Sequence, residues 1–440
     1  MPARSAESLL RVLDDLVDHT VGIIHDIEEL PREAGAPEFF YYYARSCNTE
    51  AFCDQKNFAE GGGASTRHDV ALAKAVGEAV ERYCPALYCK EELPLTTFRQ
   101  ASFPCVHPSE FALHSSDQYA QMGFPFKPFT IDTPIRWSQT VELLTGRTYS
   151  VPSAMVHIPY IYDEAAGEIP ICQPISTGLA CHSSFENASI SAICEVIERD
   201  AFTISWQAYI SRPHISVDTL SENTRDLIAR LEKNGSTVAL VDMTMDTGVP
   251  TIFAIASTES LEAPAFVCAA STHLDPEEAA RKALEEVAHT RVLAQGLKSN
   301  RRAPQPIPPY GEVIDQDSHI RFYGEQSNAT LASFLTASQS IDFRSIPNLS
   351  TGVPDRDLEI LLQRVHHTSH RVLLTNLTTS DVNELGLSVV RAIIPGFHPL
   401  FLGHRIRALG GSRLWSLPQK LGHKGISPSQ GDNPSPHPYP

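Results

Sequence analysis

The sequence predicts an α+β fold, and three observations carry that expectation. Strand-length apolar or aromatic runs recur along the 440 residues, among them FFYYYARSCN at 39–48 and VPTIFAIA at 249–256. A helical frame occurs twice and, degraded, a third time: AVGEAVERY at 75–83, AICEVIERD at 192–200 and AARKALEEVAHTR at 279–291. These acid-bearing helices lie far apart in the chain and must meet in space, which argues for one unit and not for separable modules. At 42% hydrophobic and 8% aromatic, the chain can bury one large core or two smaller ones.

In chain order, residues 6–18 have the spacing of a short amphipathic helix, followed by an acidic, proline-bearing connection. FFYYYARSCN reads as a strand because aromatic side chains suit a pleated surface. Gly61, Gly62 and Gly63 suggest a flexible turn into the first acidic helix, where backbone N–H groups could approach a phosphate or simply form a loop. Residues 90–140 are rich in Pro, Phe and Ser and read as an irregular surface excursion. SVPSAMVHIPYIY at 150–162 returns to strand, and QPISTGLACHSSFENA at 173–188 leads into the central helix, whose N-cap is Ser183 or Ser184.

A helix near 221–233 precedes three strands, VALVDMTM, VPTIFAIA and APAFVCAAS, with Asp246, Thr247 and Gly248 placed for a tight hairpin between the first two. The third acidic helix covers 276–296, and a polar, proline-bearing stretch separates it from the helix DRDLEILLQRV. The strands RVLLTNLTT and LGLSVVRAIIPG close the fold. From Gly410 the composition shifts to Gly, Pro, Ser and His, and prolines at 434, 436, 438 and 440 make a stiff, polyproline-like rod. Alternation up to the last residue suggests that the position of the terminal carboxylate matters.

The two complete helical copies align without a gap, with Gly61 over Gly178, Asp69 over Glu186, Ala71 over Ala188, Glu78 over Glu195, Glu81 over Glu198 and Arg82 over Arg199. In the third copy Glu286 keeps the first acidic place and His289 takes the second. At about 100° per residue, Val76 and Val80 share one face while Glu78 and Glu81 lie opposite; Ile193 with Ile197, and Leu284 with Ala288, are the equivalent apolar pairs. Asn187 falls roughly 20° around the helix from Glu198, on the acidic face. One ExxER alone would be an ordinary solvated helix face, but a triplicated frame is harder to dismiss. Converging carboxylates repel one another and call for a cation. Hard oxygen donors suit Mg²⁺, which binds through a few carboxylates plus substrate phosphates. That implies a nucleotide held without a Gly-rich phosphate loop.

The formal net charge of −17 argues against general nucleic-acid binding, which rests on basic residues at phosphates. The first residues lack a signal-peptide hydrophobic region, and no segment is long and apolar enough to span a bilayer. Nine cysteines, an odd number without a CxxC pair, suit a reduced, cytoplasmic protein with mostly buried thiols. Cys84 and Cys89 are too loosely spaced, and lack the partner pair, for zinc.

GGGAS through AVGEAVERYC, STGLACHSSFENASISAICEVIERDAF, DMTMDTGVP, ALEEVAHTR, RAIIPGFHP and the PSPHPYP end resemble the YcaO family of ATP-dependent enzymes, from about Gly61 to the last residue. STGLACH joined to EVIERDAF, with the alternating prolines, is most similar to the azoline-forming branch, the cyclodehydratase or D component of thiazole and oxazole peptide biosynthesis. The resemblance implies a YcaO-type fold of repeated acidic helices packed on mixed β-sheets. It divides the chain into an N-terminal strand and helix segment (1–60), an ATP-binding catalytic domain (61–410) and a proline-rich tail reaching the active site (411–440).

It also implies chemistry. ATP is bound through magnesium ions held by glutamates, here Glu78, Glu81, Glu195, Glu198 and Glu286. Arg82, Ser183, Asn187, Arg199, His289 and Arg291 are the nucleotide-side candidates. A Cys, Ser or Thr of a ribosomal precursor peptide attacks the preceding backbone carbonyl, the resulting oxygen takes the γ-phosphoryl group, and loss of phosphate leaves a thiazoline or oxazoline. The nucleophile belongs to the substrate, so no cysteine of this chain needs to be catalytic. The Pro440 carboxylate is the candidate base or orienting group. Arg82 and Arg199 could equally be structural ion-pair partners. His289 stands where the family commonly has glutamine, and a purely structural histidine is an even rival. The glycine triplet lacks the lysine often found there.

The roughly 60 residues before Gly61 are too few for a leader-binding domain. A separate partner resembling a ubiquitin-activating enzyme is therefore expected to bind the leader, and a flavin-dependent dehydrogenase to oxidise azolines, around a homodimer within a larger complex. The alternatives are thioamide formation with an external sulfur donor and a non-catalytic, nucleotide-binding assembly subunit that docks through its tail.

Overall fold

A computed structural model describes residues 3–31, 37–233 and 235–440. Helix α1 (Ala3–Leu10) and one further turn (Leu13–Leu16) replace the single helix expected over 6–18. Leu9 and Leu16 are both buried in the core beside it. Strands β1 (Ile24–Glu29), β2 (Phe40–Ser46) and β3 (Glu60–Ser65) form an antiparallel sheet in that order.

The glycine triplet is strand β3, not a turn, because helix α2 (His68–Tyr83) lies directly on it. A Cβ at Gly61 would stand 2.6 Å from the Ala79 amide nitrogen, and one at Gly63 would stand 2.2 Å from the Ala71 carbonyl oxygen. Only glycine permits so close a backbone approach.

After the irregular stretch come β4 (Ile135–Glu142) and β5 (Thr148–Pro152); the strand expected over 150–162 ends at Pro152. Strand β6 (Leu179–His182) leads into α3 (Phe185–Gln207), capped by Ser184, whose hydroxyl accepts from the Asn187 amide at 3.3 Å. Helix α4 (Glu222–Glu232) precedes the meander β7 (Thr237–Asp242), β8 (Thr251–Ser257) and β9 (Phe266–Thr272). The first turn of that meander is wider than a tight hairpin. The chain reverses over Met245–Gly248, and Asp246 is drawn outward to Arg413 at 2.6 Å.

Then follow α5 (Pro276–Asn300), α6 (Gln316–Tyr323), α7 (Pro354–His367), β10 (Leu373–Asn376), β11 (Ser388–Ile393) and α8 (Ser412–Lys420). The glycine- and proline-rich composition beyond residue 410 conceals α8, which buries Leu414 and Leu417.

The second sheet runs β9-β8-β7 and continues through the two-residue strands His214–Ile215 and Ser340–Ile341. The third runs from Leu95–Thr96 through β4, β10 and β11 to β6, with β5 also on β4. Among the strands of the described residues, the pairing between the two shortest strands of the second sheet is the one parallel pairing. The sequence repeat is thus a strand–helix unit, β3–α2, β6–α3 and β9–α5, in which each helix packs on the strand before it. The apolar stripes face inward: Val76, Val80, Ile193, Ile197, Leu284 and Ala288 are buried.

Residues 433–440 carry no helix or strand and, apart from exposed Pro434, run through the interior to the half-buried Pro440. Trp206 Nε1 donates to the Ser435 carbonyl at 3.2 Å, Tyr323 Oη to that of Pro436 at 2.6 Å and Cys268 Sγ to that of Pro438 at 3.3 Å.

Candidate active site

The acidic stripes of α2, α3 and α5 open onto one cavity of about 730 Å³. Glu78, Glu81, Glu195, Glu198 and Glu286 all line it, with Arg82, Arg199 and the chain end Tyr439–Pro440. The two complete repeat copies build matching halves. Glu78 Oε2 accepts from the Gly62 amide at 2.9 Å, and Glu195 Oε2 accepts from the Gly178 amide at 3.0 Å. Arg82 reaches back one turn to Glu78 at 3.1 Å, and Arg199 reaches Glu195 at 3.0 Å. A backbone amide in the preceding strand, or just before it, therefore pins the first glutamate, and the helix's own arginine balances it.

The second glutamates differ. Among the described residues, the ion pair of Glu81 is with Arg82 Nη1 alone, at 3.4 Å. Burial, with the Glu195 and Glu78 charges, outweighs that arginine and pushes its carboxyl up to about 8. Glu198 is held by Arg199, by the Tyr439 hydroxyl at 2.7 Å and by the Thr272 amide at 3.0 Å. Burial and Glu195 still push it up to about 7. In the third copy Glu286 lies 3.9 Å from His289 Nδ1. Desolvation opposes ionisation of Glu286, but His289 outweighs it and keeps the carboxyl low. The same contact holds the imidazole above its ordinary value against its own burial.

The structure does not bring every candidate to this cavity. Ser183, Asn187, His289 and Arg291 are absent from its lining. Asn187 is on the acidic face, but eleven residues from Glu198 place it about 16 Å away along the helix. Its side-chain amide bonds Ser184 Oγ at 2.9 Å, and the Ser183 amide bonds His182 Nδ1 at 2.9 Å. Arg291 follows Glu286 by five residues, about 140° around the helix, and is buried within reach of Tyr41. The His289 ring lies against Gly62, where a Cβ would stand 2.3 Å from a ring carbon.

Three residues that the sequence reading passed over matter here. Lys282 lines both the main cavity and an adjoining one of about 100 Å³ that follows α3 to Ile190. Burial pulls its ammonium below the ordinary value. Its signal was in the repeat: Lys282 precedes Glu286 by four residues, as Lys74 precedes Glu78. Tyr439 stood unmarked between two prolines. Its ring lies under the Arg199 guanidinium, 4.6 Å from centroid to Cζ. Arg391, inside RAIIPGFHP, is 4% exposed and sits near Glu195 and Glu81.

Five carboxylates on one cavity, two of them raised by burial and by neighbouring charge, make a donor set suited to a hard cation. Among the described residues no three His, Cys, Asp or Glu side chains converge into a finished metal site. The carboxylates are turned to Arg82, Arg199 and backbone amides instead, so an ion would have to share them.

Residues 62–398 match the family described as YcaO cyclodehydratase, ATP- and Mg²⁺-binding. The chain belongs to the YcaO family. An uncharacterised protein of Methanothermobacter thermautotrophicus is 29% identical over 353 residues, covering 77% of this chain and 82% of that protein. Among solved structures, a heterocyclase in complex with substrate and cofactor superposes with a TM-score of 0.80 at 19% identity, over 99% of this chain and 57% of its own. This chain therefore spans little more than half of that heterocyclase. YcaO from Methanopyrus kandleri, bound with AMPPCP and Mg²⁺, gives a TM-score of 0.64 at 19% identity over 89% of this chain and 90% of its own. The E. coli microcin synthetase McbBCD complex with pro-MccB17 bound gives 0.59 at 14% identity, over 93% and 96%. At these identities the structural likeness establishes the YcaO fold. No helix among the described residues is long and apolar enough to cross a membrane.

Proposed function

We propose that this chain is an ATP-dependent cyclodehydratase that converts Cys, Ser or Thr residues of a ribosomal precursor peptide to azolines. The observation that carries the reading is the meeting of five glutamates from three repeat units with the chain end, Tyr439–Pro440, in one cavity. Phosphoryl transfer needs charge neutralisation and alignment more than covalent help from the protein.

Glu78, Glu81, Glu195, Glu198 and Glu286 would hold magnesium, which when bound neutralises phosphate charge and aligns the transferred group. Lys282, Arg82 and Arg199 are the cations placed to meet phosphate oxygens. The adjoining small cavity runs along α3 toward Asn187 and Ser183, so the rest of the nucleotide would extend that way. The Pro440 carboxylate, on the same cavity as the glutamates, would take or orient the proton of the attacking side chain. His289 and Arg291 are left structural parts, the first supporting Glu286 and the second filling the core.

The similar heterocyclase is bound to substrate and cofactor, and the similar microcin synthetase is a complex, McbBCD, with pro-MccB17 bound. By analogy this chain would work in the cytoplasm, as a homodimer within a complex, with a leader-binding partner and a flavin-dependent dehydrogenase. Mass spectrometry of a precursor peptide incubated with ATP, Mg²⁺ and the partner tests the reading. Loss of one water per ring with one ATP consumed is expected. Replacement of oxygen by sulfur would indicate thioamide formation, and unchanged peptide with intact complex assembly would indicate a scaffold.

A further inference from the structure

A second cavity adjoins the glutamate cavity and differs from it in chemistry. It measures about 150 Å³ and is walled by apolar groups, among them Phe111, Met155, Val196, Phe397 and Phe401. Gln173, Ile175, Thr177, Arg199 and Leu400 line both cavities, so one opens toward the other across the irregular strand-free segment before β6. An apolar cavity of about this size accommodates a benzene-sized guest. It therefore fits one branched or aromatic side chain.

The polar groups at this boundary are incompletely used. Arg391 Nη2 donates to the Ile175 carbonyl at 2.8 Å, while its Nε and Nη1 have no partner among the described residues, although the side chain is 4% exposed. Gln173 Oε1, also buried, has none either. Leaving a buried guanidinium with idle donors is costly unless a ligand supplies acceptors. A peptide backbone supplies carbonyl acceptors for Arg391 and an N–H for Gln173, and an adjacent side chain fills the apolar space. A free hydrophobic molecule would leave these polar groups as they are.

We infer that this cavity is a specificity subsite for the substrate peptide, receiving the apolar side chain of the residue whose carbonyl is attacked, with Arg391 and Gln173 binding the backbone beside it. The inference rests on the ATP-dependent cyclodehydratase reading, because that reaction requires a peptide carbonyl at the edge of the glutamate cavity. The residue preceding the cyclised position is then selected by shape. Leu or Phe is favoured, Gly leaves the space empty, and Asp buries a charge among apolar walls.

The test uses the full chain saturated with Mg²⁺ and AMPPCP and titrated with acetyl-Gly-Xaa-Cys-amide peptides in which Xaa is Leu, Phe, Gly or Asp. Binding is followed by NMR line broadening. Leu and Phe peptides should bind about tenfold tighter than the Gly peptide. Ala408→Phe and, separately, Ala154→Phe, both at lining residues, fill the cavity and should abolish that preference while AMPPCP affinity stays at the wild-type value. Two variants guard against one failing to fold. Equal binding of Leu and Gly peptides, tightest binding of the Asp peptide, or a preference that survives a folded filled variant would overturn the subsite while leaving ATP binding in place. Failure of the wild type to bind AMPPCP would instead overturn the nucleotide reading and this inference with it.

Discussion

Glu81 and Glu198 carry the acid chemistry of the site in their protonation. Their folded values, about 8 and about 7, lie above the ordinary 4.5, so the native state binds more protons than the unfolded chain between those limits. The stability these two groups contribute should therefore be full below about 4.5 and lost as pH rises through about 7 to 8. Buried histidines such as His398 and His404, held down by burial to about 3, act the other way below about 6.5, so the decline shows above neutral pH. Mg²⁺ with AMPPCP favours the carboxylates and should flatten that decline, releasing protons as it binds near neutral pH. Thermal melts across this range and calorimetry in buffers of different ionisation heat read the two effects. Melts that rise steeply from about pH 7 to 8 without ligand, above the range in which the buried histidines act, would contradict the assigned environment. Tyr439 supplies the second residue-scale prediction. Its hydroxyl bonds Glu198 and Arg199, while its ring packs on Phe202 at 4.5 Å. Tyr439→Phe keeps the packing and frees the carboxylate to rotate, so Mg²⁺-dependent AMPPCP affinity should drop about three- to tenfold with little change in melting temperature. An unchanged affinity would make the hydroxyl contact incidental.

The strand–helix unit is the element that positions each acid, and its tightest point is Gly61. Gly61→Ala places a Cβ against the Ala79 amide and should destabilise the chain by about 2 kcal/mol or more, because backbone must move on both elements. Gly146, which has a positive φ of 69 but open space around it, should cost only about 1 kcal/mol as alanine. Urea midpoints compare the two. The same contact explains what was legible in the sequence. Side chains on a helix reveal their face by period, so the glutamates and the buried valines and isoleucines could be read from spacing alone. Glycines in a strand carry no such signal. GGG suits a flexible turn as well as a strand pressed beneath a helix, and only the neighbouring helix decides. Asn187 and Arg291 exposed two further limits of periodic reading. The first shares the correct face but lies too far along the axis, and the second belongs to the right helix but the wrong face. Arg391 and Gln173 sit inside the stretches RAIIPGFHP and QPISTGLACHSSFENA, but neither carries a spacing signal of its own, since they reach the site from a strand and a loop and not from an acidic helix.

At the scale of the molecule, the last eight residues belong to the interior and end in the cavity. Asn433, His437 and Tyr439 are nearly inaccessible, and the backbone between them accepts hydrogen bonds from Trp206, Tyr323 and Cys268. Removing residues 433–440 would leave those donors buried and unpaired at about 1–3 kcal/mol each, so the truncated chain should lose several kcal/mol and expose apolar surface. Removing Pro440 alone is a different perturbation. The tail's inward contacts through Tyr439 remain, and the terminal carboxylate retreats by about 3 Å, the rise of one residue in an extended proline-rich segment. A chain end that only wedges the fold together would tolerate that retreat. One that takes or orients the nucleophile's proton would not, because general-base geometry fails beyond hydrogen-bond reach. Deleting Pro440 should therefore preserve the melting temperature and AMPPCP binding while lowering ring formation by about 10²-fold or more. Addition of one residue after Pro440 should do the same from the other direction. Undiminished ring formation in both chains would reduce the tail to a structural plug and move the search for the base to another group on the cavity wall.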